Sequence, residues 1–164
     1  MRDAQDIFAY SRDPLVARHV LWSTHRTLQD AKNYLRFILR QYRDGDPSSF
    51  CIQLKETGRV IGTIGFMSWS REDSSAEVGY SMAREHWGKG LMTEALTAVL
   101  AFAFGSMGLH RVWAVHEADN PASGRVMEKC GMRREGLMRG AVWNKGRYAD
   151  VVQYGILRED ERPL

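Results

Sequence analysis

Ala76-Glu77-Val78-Gly79-Tyr80-Ser81-Met82 and, after Ala83–His86, Trp87-Gly88-Lys89-Gly90-Leu91-Met92-Thr93 form the stretch that decides the fold. The first part reads as a strand and the second as a glycine turn opening a helix. Glycines between a strand and a helix let backbone N–H groups converge on an anion at the positive helix end. The same small residues also suit a helix start that packs tightly. Two familiar nucleotide loops are excluded. A Walker A loop needs Gly at 83 and Ser or Thr at 90, where Ala83 and Gly90 stand. A dinucleotide fingerprint starting at Gly88 needs a third glycine at 93, which is Thr93.

Upstream, short helices are expected at Ala4–Tyr10 and Pro14–Val20. A stronger helix starts at Thr27, where Thr27 and Asp30 approximate a capping box. Leu28, Ala31, Tyr34, Leu35, Ile38, Leu39 and Tyr42 then give it one buried face, and Asp44-Gly45-Asp46-Pro47 stops it. Ser49–Lys55 and Val60–Trp69 read as strands joined by a turn at Glu56–Arg59, with a second turn at Ser70–Ser75. Downstream, Gly90–Met107 reads as a helix with Leu91, Ala95, Val99, Phe102 and Ala103 on its apolar stripe. Arg111–His116 is a strand, and Asn120–Cys130 a helix ended by Gly131. Met132–Ala141 and Tyr148–Leu157 are strands joined by residues 142–147. This order predicts a mixed α/β sheet, neither a Rossmann fold nor a bundle.

At 164 residues the chain predicts one domain, 1–164, with a single core. Charged residues make up 26% and hydrophobic ones 44%, which argues against disorder. The longest apolar run, near Leu96–Phe104, is about half of the roughly 20 residues a membrane span needs. The N-terminus, Met1-Arg2-Asp3-Ala4-Gln5-Asp6, is charged and lacks a secretory apolar stretch. Cys51 and Cys130 form no CxxC pair and offer no disulfide framework, so a reducing, cytoplasmic setting is expected. The net charge of +3 suits an anionic small ligand as well as it suits nucleic acid. Lys129–Arg134 is basic without interleaved Trp or Tyr, so no nucleic-acid binding is expected. Gly105-Ser106-Met107-Gly108 has the wrong spacing for a nucleophile elbow. His116-Glu117-Ala118-Asp119-Asn120 lacks the second histidine of a zinc motif, and the five histidines are scattered, so no metal is expected.

The strand and turn quoted first, with Glu94-Ala95, Asn120-Pro121-Ala122-Ser123 and Glu128-Lys129-Cys130-Gly131-Met132, resemble the GNAT superfamily of N-acetyltransferases. Asp3-Ala4, Asp13-Pro14, Asn144-Lys145-Gly146-Arg147-Tyr148-Ala149-Asp150 and Tyr154-Gly155-Ile156-Leu157-Arg158 are similar to its RimJ/RimL-type branch, so the likeness spans nearly the whole chain. There are departures. Trp87 holds the first position of the family loop and Met92 its last, where Gly or Ala is usual. Met127 stands where many relatives carry an acid tyrosine. The chain also begins where the family's second element begins, so the first strand is expected to be absent.

The resemblance implies a mostly antiparallel sheet flanked by helices and splayed between strands 76–82 and 111–116. Acetyl-CoA would enter that gap, its pantetheine on the strand edge at Tyr80, Ser81 and Met82, its pyrophosphate on the turn Trp87, Gly88, Lys89, Gly90, Leu91, Met92 and Thr93. The Met82 N–H would hold the oxyanion as the amine attacks directly. Glu77 is the first candidate for the base, against a glutamate that faces solvent or pairs with Arg71; Glu117 is the alternative base. Ser123 resembles the serine that meets the leaving thiolate in that branch, or it caps its helix. Asn120 would contact pantetheine, cap its helix, or both. Lys89, Arg125 and Lys129 would meet phosphates or solvate the surface. Trp143, Asn144 and Tyr148 would line one wall of the acceptor site and Trp22 and Tyr34 the other, or belong to the core. The expected reaction is acetyl transfer from acetyl-CoA to a primary amine, a protein N-terminus or a small molecule. A catalytically silent CoA-binding module is the rival, and an open sheet edge invites a homodimer.

Overall fold

In the computed structural model, which describes residues 2–160, the capping box at Thr27 forms as its sequence requires. Asp30 Oδ2 accepts from the backbone N–H groups of Thr27 and Arg26, each at 2.8 Å. That start launches α3 (Leu28–Arg43), which buries Ala31, Leu35 and Ile38. Leu39 and Tyr42, read as part of the buried face, turn outward instead. Leu39 falls at the margin of the apolar stripe; Tyr42 falls within it, but at the last turn of the helix its hydroxyl donates to the Ser49 carbonyl. Before α3 come α1 (Ala4–Ser11) and α2 (Pro14–Ala17), the latter shorter than its sequence suggests.

The strands are β1 (Ser49–Gln53), β2 (Val60–Ser70), β3 (Ser75–Met82), β4 (Arg111–Glu117), β5 (Arg133–Asn144) and β6 (Arg147–Leu157). Two further helices are α4 (Leu91–Gly105) and α5 (Pro121–Lys129). The six strands form one sheet in the order β1-β2-β3-β4-β6-β5, and only β3 and β4 run parallel. This is the expected mixed, mostly antiparallel sheet. The connection expected at 142–147 is tighter than its sequence suggested: Val142 and Trp143 pair with Ala149 and Tyr148, leaving Lys145 and Gly146 as the turn.

The alternation of β2 divides the interior. Ile64 and Phe66 pack with α4 and α5 in the main core, while Thr63 on the opposite face meets Tyr10 of α1. A second cluster of Ile7, Val16, Ala31 and Leu35 joins α1–α3 to Val60 and Ala83. So the interior is two clusters on opposite faces of one sheet rather than one. The α4 stripe is rotated relative to its sequence reading. Leu96, Val99, Leu100, Ala103 and Phe104 are buried, and Phe102 lies at the rim against Phe50 and Phe66. Among the described residues no helix is long and apolar enough to cross a membrane.

Candidate functional site

β3 and β4 are partners for only a few residues. Their register runs from Ser75–Arg111 to Glu77–Trp113, and beyond that point the strands diverge. The ladder with β2 fixes what β3 presents to the gap. The Ala83 N–H donates to the Ile61 carbonyl, so by antiparallel alternation the main-chain groups of Met82 and Tyr80 point away from β2, toward the fork. The Met82 carbonyl is occupied by the indole N–H of Trp87 at 2.8 Å. Its N–H faces the gap.

A 3₁₀ turn at Arg84–His86 leads from β3 into the glycine loop. Gly88 (φ +72°) and Gly90 (φ +79°) are left-handed, a conformation that costs an L side chain about 1–2 kcal/mol. Gly90 is the residue that precedes the first turn of α4. The backbone thus bends so that the loop's N–H groups and the N-terminus of α4 face the same space. The N-terminus of α5 closes that space from the other side, and a cleft of about 400 Å³ lies between them. Every residue assigned above to the cofactor except Lys89 lines this cleft, and Arg125 and Lys129 add positive charge to its wall. Met92 also packs against the main core, and Met127 is wholly within it.

Ser123 does not serve as a helix cap. Its Oγ lies 2.9 Å from the Tyr80 hydroxyl. Asn120, at the start of α5, makes no capping bond and lines the cleft. Glu77 sits at the fork, half-buried and outside the cleft lining, with Ser68 Oγ at 3.4 Å. Burial pushes its carboxyl above the ordinary range, and the Ser68 hydroxyl only partly opposes this. Arg71, its suggested ion partner, stacks on Trp69 instead.

None of the four aromatic residues assigned to the acceptor lines this cleft. Trp22 and Tyr34 flank His25, at 5.7 Å and 6.4 Å between ring centroids, and pack on the helical cluster. Trp143 and Tyr148 face each other across the β5–β6 hairpin at 4.8 Å, largely exposed.

Sequence spacing missed a charge cluster at the mouth of the cleft. Glu117, buried at the end of β4, accepts from His19 Nδ1 at 2.9 Å, Arg147 Nη2 at 2.7 Å and the Asn144 amide. Asp119 shares both His19 and Arg147. Lys145 donates to the Val20 carbonyl, so the segment after α2 is fastened to the hairpin turn. Burial alone would raise the Glu117 carboxyl, but the hydrogen bonds from Asn144 and His19 and the Arg147 charge outweigh it and hold it low. Three donors occupy its two oxygens, which leaves one of the roughly four acceptor sites of a carboxylate. His19, Glu117 and Asp119 are close enough to hold a cation, and the Arg147 guanidinium supplies that charge. His19 and Glu117 stand 98 positions apart, and no spacing rule joins them.

The family model described as an acetyltransferase (GNAT) domain matches residues 1–133. The uncharacterized N-acetyltransferase p20 of Bacillus licheniformis is 32% identical over 160 residues, covering 98% of this chain and 90% of the relative. The alanine N-acetyltransferase for ribosomal protein uS5 of Escherichia coli is 28% identical, covering 79% of this chain and 67% of its own. A GNAT-family acetyltransferase structure from Bacillus anthracis superposes with a TM-score of 0.86 at 29% identity, over 97% of this chain and 91% of that one. Spermidine N-acetyltransferase from Vibrio cholerae, solved with CoA and spermine, shares the fold with a TM-score of 0.83 at 21% identity, over 97% and 92%.

Proposed function

The chain belongs to the GNAT acetyltransferase family and is an acetyl-CoA-dependent acetyltransferase, and from that premise we propose that its acceptor is the N-terminal amine of a protein or peptide. The observation that carries this reading is the open side of the sheet beyond the fork. Nearly all of β5 is exposed, with Leu137, Met138 and Trp143 uncovered, and Tyr148 of β6 packs against Trp143. A platform of that kind suits an extended chain better than an enclosed small amine. The relative that acetylates ribosomal protein uS5 supports the same reading.

The residues divide the work as follows. The N–H groups of Gly88–Thr93 and the start of α4 hold the pyrophosphate, with Arg125 and Lys129 nearby. The free main-chain groups of Tyr80 pair with pantetheine like an added strand, and Asn120 contacts it from α5. The Met82 N–H polarises the thioester carbonyl and takes up the oxyanion charge. Glu77, kept basic by burial, removes the proton from the ammonium, directly or through a water. The amine then attacks within the ternary complex, and Ser123 donates to the sulfur as the C–S bond breaks. Trp143 and Tyr148 receive the acceptor chain, while Trp22 and Tyr34 brace the opposite wall from behind.

A panel assay tests the acceptor. Alanine- and serine-initiated peptides, the same peptides blocked at the N-terminus but carrying lysine, polyamines and free amino acids are each incubated with acetyl-CoA. CoA release is measured, and the acetylated product is located by mass. Turnover of the free-N-terminus peptides alone is expected. Turnover confined to polyamines or amino acids would overturn the peptide assignment.

A further inference from the structure

The Tyr80 side chain does something its backbone does not. Its hydroxyl lies 2.9 Å from Ser123 Oγ and 3.1 Å from the Ser123 carbonyl oxygen. A phenol has one proton, and a carbonyl oxygen only accepts. Two arrangements are open, and only the first satisfies both contacts. In one, the phenol donates to the carbonyl and accepts from the serine hydroxyl, which turns the serine proton away from the cleft. In the other, the phenol donates to Ser123 Oγ, and the serine proton is free to point into the cleft that Ser123 lines. Burial raises Tyr80 far above the ordinary phenol range, against a smaller opposing effect of Ser123, so the phenol keeps its proton in both.

Packing fixes the separation. Beside Ser123 stands Gly124, where an added Cβ would lie 2.7 Å from His116 Nε2 and 3.3 Å from the Tyr154 hydroxyl oxygen. The His116 ring is itself held, by the Glu117 carbonyl at 2.7 Å and against Tyr154. So α5 approaches β4 as closely as a glycine allows, and that approach sets Ser123 against Tyr80.

We propose that Tyr80 is a positioning residue for departure of the thiolate, acting through Ser123. As the thioester C–S bond breaks and its electron pair passes to sulfur, the phenol swings its hydrogen bond from the Ser123 carbonyl to Ser123 Oγ. The serine hydroxyl donates to the sulfur at the same time. No proton leaves either oxygen; the N–C bond forms, and the proton of the amine goes to the base. Donors in series polarise one another, so the pair holds the charge on sulfur better than a lone serine. The inference rests on the acetyl-transfer reading above.

The direct test uses free CoA and needs no acceptor. Thiolate absorbance of bound CoA is followed across pH for the wild type, Tyr80→Phe, Ser123→Ala and the double variant, with CoA affinity measured alongside. Wild-type protein is expected to hold roughly tenfold more thiolate at neutral pH than free CoA does. Tyr80→Phe loses most of that enrichment while its affinity stays within about twofold. The double variant matches Ser123→Ala. Gly124→Ala, which moves α5 without touching the phenol, reproduces Tyr80→Phe. In turnover of an alanine-initiated peptide, Tyr80→Phe lowers kcat roughly tenfold at unchanged KM, and has no further effect once Ser123 is alanine. Full thiolate enrichment in Tyr80→Phe, or an equal loss of kcat in both backgrounds, would overturn the proposal. Absence of CoA binding by the wild type would overturn the acetyl-transfer reading together with it, whereas binding without enrichment would overturn the Tyr80 role alone.

Discussion

The two ends of the fork are built from different materials. On the side proposed for the cofactor, the groups on offer belong to the main chain: the outward N–H groups of Tyr80 and Met82, the left-handed Gly88 and Gly90, and the first turns of α4 and α5. At the far mouth, Glu117 gathers side chains from the segment after α2 and from the β5–β6 hairpin. A site made of backbone depends on conformation and tolerates change in most side chains. A site made of side chains depends on the identity of each one. Mutations at the two ends are therefore expected to fail in different ways.

The largest effect belongs to the side chain assigned the chemistry. Glu77→Gln is expected to lower kcat about 100-fold or more while leaving acetyl-CoA affinity unchanged. Because burial raises the Glu77 carboxyl, the acid limb of the wild-type pH–rate profile lies above the ordinary carboxylate range. An unchanged kcat would move the base elsewhere and weaken the division between the two ends.

Glu117→Ala strikes the charge cluster and leaves His19, Arg147 and Asn144 without their shared acceptor. A loss of about 2–3 kcal/mol is expected in denaturant unfolding, since bonds to a buried charge are removed. The Glu117 carboxyl is lowered in the folded state, so its stabilisation is present above the ordinary carboxylate range. It drains away as pH falls through the folded value. Glu117→Gln should flatten the pH dependence of stability in that acidic window and leave it alone near neutrality.

Smaller effects are expected at the backbone-built end. Gly90→Ala meets no steric obstacle, so its cost comes from the positive φ alone. The free loop relaxes to escape this strain, so the cost is met on binding: acetyl-CoA affinity should fall roughly tenfold, by calorimetric titration, with the melting temperature little changed. Trp87→Phe removes only the indole bond to the Met82 carbonyl, and a loss of about 1 kcal/mol in affinity is expected. An effect of Trp87→Phe larger than that of Gly90→Ala would reverse the comparison.

The same contrast governs what could be read in the sequence. The glycine turn, the capping box at Thr27 and the helix ended by Gly131 are local devices, and each is found where its residues put it. The Glu117 cluster joins positions 98 and 30 residues apart, and only the folded sheet brings them together. The hairpin turn was obscured because Lys145 adopts φ +49°, a left-handed conformation that sequence rules assign to glycine. Ser123 carried two readings of equal weight, cap or catalytic donor. Its Oγ meets the Tyr80 hydroxyl, 43 residues away, and makes no capping bond. On α4 nearly every position is apolar, so the pattern could not say which stripe faces the sheet.

Backbone amide hydrogen exchange with and without acetyl-CoA tests the central assignment most directly. Protection is expected at Tyr80, Met82 and Gly88–Thr93, with the amides of β1 unchanged. A second groove of about 360 Å³ lies between β1 and α4, lined in part by Phe50–Leu54. Protection there, with the fork amides exchanging as in the free protein, would contradict placement of acetyl-CoA between β3 and β4.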